Sequence, residues 1–366
     1  MKQSSPSVSG GAFELLLRTQ QLPSLDGLRC LAILPVIWHH ATPRPLPGVL
    51  GKGAVGVDLF FALSGFLITT LLLRERRRDG DVRLGAFYAR RSLRIFPLYY
   101  AVLSGYVLHA SLLPASSPMR EHFFDSLPFH ATYTANWLVD YAVSHPISFA
   151  FSWSLCVEEQ FYLVWPLLLV FVQRRALLAT LMAVAIGVDI MAEHGTFSAF
   201  AEQGSLTLRI VTSLATPIGL GAILALLLDV QRGFELSWRV LGSRAAAPLL
   251  LLACALWLFL PTTPYFALSC CLVALVGAVV VRPDHGLAWL LNQPALRYLG
   301  SLSYAAYLLH VGALGLVRRA LPGFRDEALV VFLVGLPLTF GLAACANYAL
   351  ERPFLRLRQR LRRSAG

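Results

Sequence analysis

Apolar runs separated by short polar or arginine-rich breaks set the pattern of this chain. Ten can be read, over residues 27–43, 55–73, 95–113, 155–172, 176–191, 206–228, 245–260, 265–281, 297–317 and 328–349. Most approach the roughly 20 residues a helix needs to cross a bilayer. The runs 176–191 and 245–260 are short and suit partial burial or a locally thinned membrane. The fold class predicted is all-α: a polytopic integral membrane helical bundle of about ten transmembrane helices. An even number places both termini on one side. Residues 1–24 read as an N-terminal tail with an interfacial segment around Phe13–Leu17, without the layout of a signal peptide. Residues 25–354 form the transmembrane domain and 355–366 a basic tail. The longest stretch outside the spans, roughly 114–152, contains His122, His130, His145 and Trp137. A connection that long is usually functional or has structure of its own. No internal repeat is visible, which weakens an inverted-repeat transporter.

Composition agrees with the pattern. Apolar residues make up 57% of the 366 and charged residues 14%, against about 25% charged in a soluble domain. Mean hydropathy is +0.63. Disorder and collagen-like structure are excluded, and the net charge of +11 does not indicate a soluble nucleic-acid binder. Loop topology explains that charge. With both termini in the cytoplasm, 24 of the 31 Lys and Arg residues lie inside and 7 outside, the bias expected of cytoplasmic loops. The only lysines are Lys2 and Lys52, which argues against lysine-dependent chemistry. The six cysteines all sit in apolar stretches without metal-ligand spacing, so no metal is predicted.

Ionisable groups inside spans are costly and mark candidate function. In the first span, Arg29 and His40 are eleven residues apart, close to three turns, so they share a face about 16 Å apart along the axis. Pro35 lies between them. Asp58 sits near the outer end of the second span, where Ser64 and Gly65 form a small patch suited to helix packing. Arg91 and Arg94 share a face at the inner side, in a spacing that suits phosphate. Glu158 and Glu159 open the fourth span directly after Trp153, at the depth expected for His40 and Asp58, with Tyr162 one turn on. Tyr304, Tyr307 and His310 follow at intervals of three, a stripe that drifts about 60° per step. Structural readings stay open for each: arginine anchors at the inner face, a dipole-favoured Asp58, bundle hydrogen bonds for the tyrosines. Glu351 has Arg352 or an inner-loop arginine as a partner, or ends a solvated helix.

Taken in order, these elements resemble the membrane acyltransferase-3 family. The similarity runs from Leu25 to Phe354. It comprises Arg29 and His40 with ten residues between, Phe60–Phe66 (Phe-Phe-x-Leu-Ser-Gly-Phe), Arg91 with Arg94, Trp153–Tyr162, Ser303–His310 and the closing Glu351–Pro353. The resemblance implies an O-acyltransferase that takes an acyl group, typically acetyl, from cytosolic acyl-CoA and gives it to a hydroxyl of a carbohydrate or glycosylated small molecule. It implies that Arg91 and Arg94 hold the CoA phosphates with Arg29 assisting. His40 would deprotonate the acceptor, or carry the acyl group itself, with Glu158 or Asp58 stabilising the imidazolium. Ser64, Tyr304 and Tyr307 are available to the oxyanion, and Trp153, Glu159, Tyr162 and His310 are supporting. The expected location is a bacterial inner membrane. The added soluble esterase-like domain of some members is not expected, since sixteen residues follow Leu350. The main competing reading is a secondary transporter or flippase with a His/Glu proton relay. A degenerate sensor and an acyltransferase using lipid-linked donors stand behind it.

Overall fold

The structure is a computed structural model and describes residues 8–19, 21–42, 48–139, 149–197, 205–262 and 264–354. Among these every regular element is helical. A short helix α1 (Val8–Arg18) precedes α2 (Pro23–Ala41), which opens on a proline whose missing N–H costs nothing at a helix start. Next come α3 (Val55–Asp79) and α4 (Leu84–Ser111), separated by Gly80 in the left-handed conformation that closes α3. The segment after α4 has structure of its own, α5 (Pro118–Ala131) and α6 (Ala135–Leu138). His145 and the basic tail fall outside the described residues. The chain continues through α7 (Trp153–Phe171), α8 (Arg175–Glu193), α9 (Leu206–Val211), α10 (Thr216–Leu228), α11 (Gln231–Leu241), α12 (Ala246–Leu258) and α13 (Tyr265–Val281). It ends in α14 (Ala288–Leu291), α15 (Pro294–Ser301), α16 (Ser303–Ala320) and α17 (Ala328–Ala346). A single π turn, Asn347–Glu351, prolongs α17.

Among the described residues each of the ten apolar runs is mostly helical, with 206–228 broken at 212–215, but fewer have the character of a simple span. Five helical segments among the described residues are long and apolar enough to cross a membrane: Val55–Asp79, Ala150–Phe171, Arg175–Ala192, Leu206–Leu228 and Ala328–Phe354. The number rises to seven if α11–α12 and α15–α16, bent by 69° and 71°, each count once. Length and apolarity alone do not reach the ten expected, for identifiable reasons. The helix α2 carries Asp26, Arg29 and two histidines, α4 carries Arg90, Arg91 and Arg94, and α13 has only 17 residues.

Helix α3 is the hub, packing on α2, α7, α10 and α13. Its contact with α10 is backbone on backbone. A side chain on Gly65 would strike the Ile218 carbonyl, and one on Gly221 would strike that of Ala62. Small residues that let backbones approach are the usual means of joining helices in lipid. The seat of α2 on α15 uses the same device, with Gly300 against the Asp26 carbonyl. One end of the bundle is pinned by Asp229, whose carboxylate takes Arg77 and, at 2.6 Å, Arg175, joining the ends of α3, α8 and α10. Nearby, Arg244 donates to Asp284 at 2.7 and 2.9 Å and Arg282 to the same carboxylate at 2.9 Å. This exposed cluster braces the bend between α11 and α12, and the two guanidinium groups hold the Asp284 carboxyl down to about 2.

Candidate active site

The face of α3 turned from α10 packs on α7 only in part and leaves a space between them. Phe60, Phe61, Ser64, Leu67, Ile68 and Leu71 recur there at helical spacing and form one wall of a cavity of about 210 Å³. From Val57 to Leu71 the wall runs about 21 Å along the axis. The opposite wall is a face of α7, where Ser154, Leu155, Glu158, Glu159 and Tyr162 fall on consecutive turns. Arg29 enters from α2, Arg91 and Arg94 from α4. The bend at Leu302 brings Ser301 and Ser303 to the rim and Tyr304 and Tyr307 inside. Nine of the residues expected from the sequence therefore meet in one space.

The polar groups in this cavity are partly committed. Ser64 donates to Glu158 Oε1 at 2.6 Å, tying α3 to α7. Tyr304 donates to the Ile95 carbonyl at 2.8 Å. The Tyr307 and Ser154 hydroxyls lie 2.5 Å apart, and the Phe151 carbonyl is within hydrogen-bond distance of both, at 2.9 and 3.3 Å. Arg29 pairs with Asp26 at 3.1 Å. Arg91 lies flat on Tyr162, its guanidinium carbon 3.7 Å from the ring centroid, and faces the charges of Glu159 and Glu158. Its Nε is buried without a hydrogen-bond partner. An arginine oriented by a ring, with a donor unspent, is built to receive a further polar group. Glu351 accepts at Oε2 from Asn347 at 2.6 Å and lies within the field of Arg94.

The two histidines form a separate layer. His40 Nδ1 is 3.0 Å from the Val36 carbonyl and His310 Nδ1 is 2.5 Å from that of Tyr307. A carbonyl only accepts, so both Nδ1 atoms carry hydrogen, and in the neutral rings both Nε2 atoms are lone-pair acceptors. His310 Nε2 is buried and unpartnered. The rings meet edge to face with centroids 4.7 Å apart. Neither lines the cavity: Tyr307 intervenes, its ring 5.4 Å from His310 and 6.4 Å from Phe60.

Three expectations are corrected. His40 has no hydrogen bond to Glu158 or Asp58 among the described residues; its neighbour is His310, and Glu158 is held by Ser64. Asp58 is not in the cavity. Six residues from Ser64 it points about 120° away, where Tyr265 donates to it at 3.1 Å. Trp153 packs on Phe61, ring centroids 6.0 Å apart, and does not line the space. Three polar lining residues, Ser154, Ser301 and Ser303, were not among the expected site residues. Ser154 lies four before Glu158 and was legible from that spacing, whereas Ser301 depends on the bend at Leu302, which spacing does not show.

The sequence profile of the acyltransferase-3 family, described as an acyltransferase domain, matches residues 22–348. A Staphylococcus aureus protein named as a candidate O-acetyltransferase is 28% identical over 360 residues, covering 92% of this chain and 58% of its own length. A Bacillus subtilis protein named as a candidate peptidoglycan O-acetyltransferase is 30% identical over 323 residues, 79% of this chain and 48% of its own. The peptidoglycan O-acetyltransferase of Listeria monocytogenes is 33% identical over 177 residues, 46% of this chain and 28% of its own. The chain thus spans about half the length of the first two relatives. No solved structure matches it.

Proposed function

Since this chain belongs to the acyltransferase-3 family, we propose that it is an integral membrane O-acyltransferase transferring an acyl group, acetyl in the simplest case, from cytosolic acyl-CoA to a carbohydrate hydroxyl. Charge bias supports a bacterial inner-membrane topology with about ten spans and both termini in the cytoplasm, counting the polar helices α2 and α4 as spans shielded by their neighbours. In that orientation the C-terminal end of α3 and the N-terminal end of α4 face the cytoplasm. Arg91, Arg94 and Arg29 then stand where the phosphates of the donor enter, as forked donors. The apolar wall of Phe60, Phe61, Leu67 and Ile68 suits the pantetheine arm. The names of the relatives favour a cell-wall glycan as acceptor.

The reaction needs a base for the acceptor hydroxyl and donors for the oxyanion. His40 is the base in this reading. Its Nδ1–H is fixed by Val36, leaving Nε2 to take the proton as the hydroxyl oxygen attacks the thioester carbonyl. The tetrahedral intermediate then collapses and expels the thiolate. His310, and not a carboxylate, is the group beside His40. Contact between donor and His40 requires the Tyr307–Phe60 pair to part. Glu158 and Glu159 organise the lower chamber, holding Ser64 and balancing Arg91.

The observation that carries this reading is the meeting of three arginines and two carboxylates along one apolar cavity. Binding of acetyl-CoA to purified protein in detergent tests it. Saturable binding weakened at least tenfold in Arg91→Ala/Arg94→Ala is expected. No binding by folded wild type would replace the reading with substrate movement without an acyl donor.

A further inference from the structure

His40 does not line the donor cavity, yet it is partly exposed. Its open side therefore lies elsewhere. The helix α2 stops one residue later, at Ala41, the end away from Arg29. Helix α16 packs on α2, with the rings of His310 and His40 in contact. Eight residues further along α16, about 12 Å, comes Arg318. Its Nη2 donates to the carbonyls of His40 and Ala41 at 2.9 and 3.0 Å. The guanidinium thus sits on the last turn of α2, bonded to the backbone of the residue that serves as base.

Closing a helix end explains part of this placement. The last carbonyls of a helix lack intrahelical partners and carry partial negative charge, so a cation is favourable there. The rest of the group is left over. The Nη2 donors serve the two carbonyls, whereas Nε–H and the Nη1 hydrogens make no hydrogen bond among the described residues. The side chain is partly exposed. Asp326, a carboxylate in whose field it lies, is paired with Arg325 at 3.4 Å. Neighbouring Arg319 turns instead to His109 Nε2, 3.3 Å away. The end of α16 and the connection to α17 set Arg318, Arg319 and Arg325 against Asp326 and Glu327. Their charges nearly balance, so selectivity at this end belongs to one oriented cation and not to a basic surface.

A guanidinium pinned at one nitrogen, with donors unspent on the others, is suited to charge-assisted hydrogen bonds with an anion. In the topology proposed above, this end of the bundle faces away from the cytoplasm, the side from which a cell-wall glycan arrives. We infer that Arg318 is the acceptor-specificity residue: its unspent donors hold a carboxylate or phosphate on the sugar whose hydroxyl His40 deprotonates. The inference rests on the acyl-transfer reading above and narrows the acceptor to an anionic saccharide. Because the same guanidinium holds the His40 carbonyl, the anionic group and the base are fixed to one point.

Acetyl transfer is measured on the full chain with two sugars: N-acetylglucosaminyl-N-acetylmuramic acid, which carries a carboxylate, and diacetylchitobiose, which is neutral. The protein is held in phosphatidylcholine nanodiscs with and without phosphatidylglycerol. The readout is the ratio of kcat/KM for the charged sugar to that for the neutral one. Damage to the geometry of His40 lowers both values and leaves the ratio, so a merely structural role does not move it. Wild type should favour the charged sugar about tenfold, the scale of a hydrogen bond to a charged group. Arg318→Gln should bring the ratio close to one, chiefly through KM. Arg318→Lys should restore only part of it, because a point charge replaces the planar group. Acetyl-CoA binding and thermal unfolding establish that each variant is folded. A wild-type ratio near one, transfer to neither sugar, or a preference that survives Arg318→Gln would overturn the inference while acetyl-CoA binding keeps the acyltransferase reading intact. A ratio that follows phosphatidylglycerol content and not Arg318 would also overturn it, assigning the guanidinium to lipid headgroups. Wild type that neither binds acetyl-CoA nor transfers would remove both.

Discussion

At Gly65, α3 touches α10 through its backbone, with the Ile218 carbonyl where a methyl group would stand. At Ser64, one residue earlier, the same helix donates to Glu158 across a cavity. The first face is closed by small residues, buried Thr69 and apolar neighbours such as Phe66 and Ala62. The second is kept open by large side chains that line a space without filling it. The closed side gives α3 a fixed position, since backbone contacts have no rotamers to adjust. The open side uses that fixed position to present Ser64 and two phenylalanines to a ligand. Rigidity on one face is what makes geometry on the other meaningful.

This contrast can be broken one residue at a time. The largest effect is expected at Gly65→Ala, where backbone must move away from backbone. About 2–3 kcal/mol of stability should be lost, the scale of overpacking, as read from thermal unfolding in detergent, while the folded fraction still transfers. Ser64→Ala should do the reverse. Stability should stay within about 1 kcal/mol and turnover should fall roughly tenfold, about 1.4 kcal/mol in the barrier, because Glu158 loses its donor. If the two variants gave the same profile, the division of labour between the faces would be wrong. The smallest effect belongs to neither face. Asp284, exposed at the brace between α11, α12 and α13, is held down to about 2 by Arg282 and Arg244. A carboxyl lowered in the folded state contributes stability above its unfolded value, near 4, and loses it as pH falls through about 2. Unfolding of Asp284→Asn and wild type should therefore differ slightly at pH 5 and converge toward pH 2. Exposure keeps the difference small.

The architecture was legible to the extent that apolarity alone determines it. Each apolar run became helix because lipid and a helical core both demand internal hydrogen bonding. Span number was less legible, since the residues that make α2 and α4 chemically interesting also make them poor membrane helices. Within the site, Arg29, Arg91, Arg94, Glu158, Glu159, Tyr304 and Tyr307 could be anticipated, because charges in an apolar run must find each other. Asp58 was misplaced because the expectation rested on depth along the helix and left azimuth out: six residues of helix separate it from Ser64 by a third of a turn. His40 was matched to a carboxylate on the same reasoning about depth, whereas packing supplied another histidine.

The π turn at Asn347–Glu351 does for α17 what a spacer does in a gear train. Along an α-helix, every fourth residue advances about 40° beyond a full circle. The inward row Gly335, Thr339 and Ala343 would therefore carry position 351 well off the bundle-facing side. One wider turn absorbs that accumulated phase and brings Glu351 within the field of Arg94. The placement of Glu351 is thus set by helical pitch as much as by the identity of its residue. A single deletion in this turn would detune it without changing a single side chain of the site.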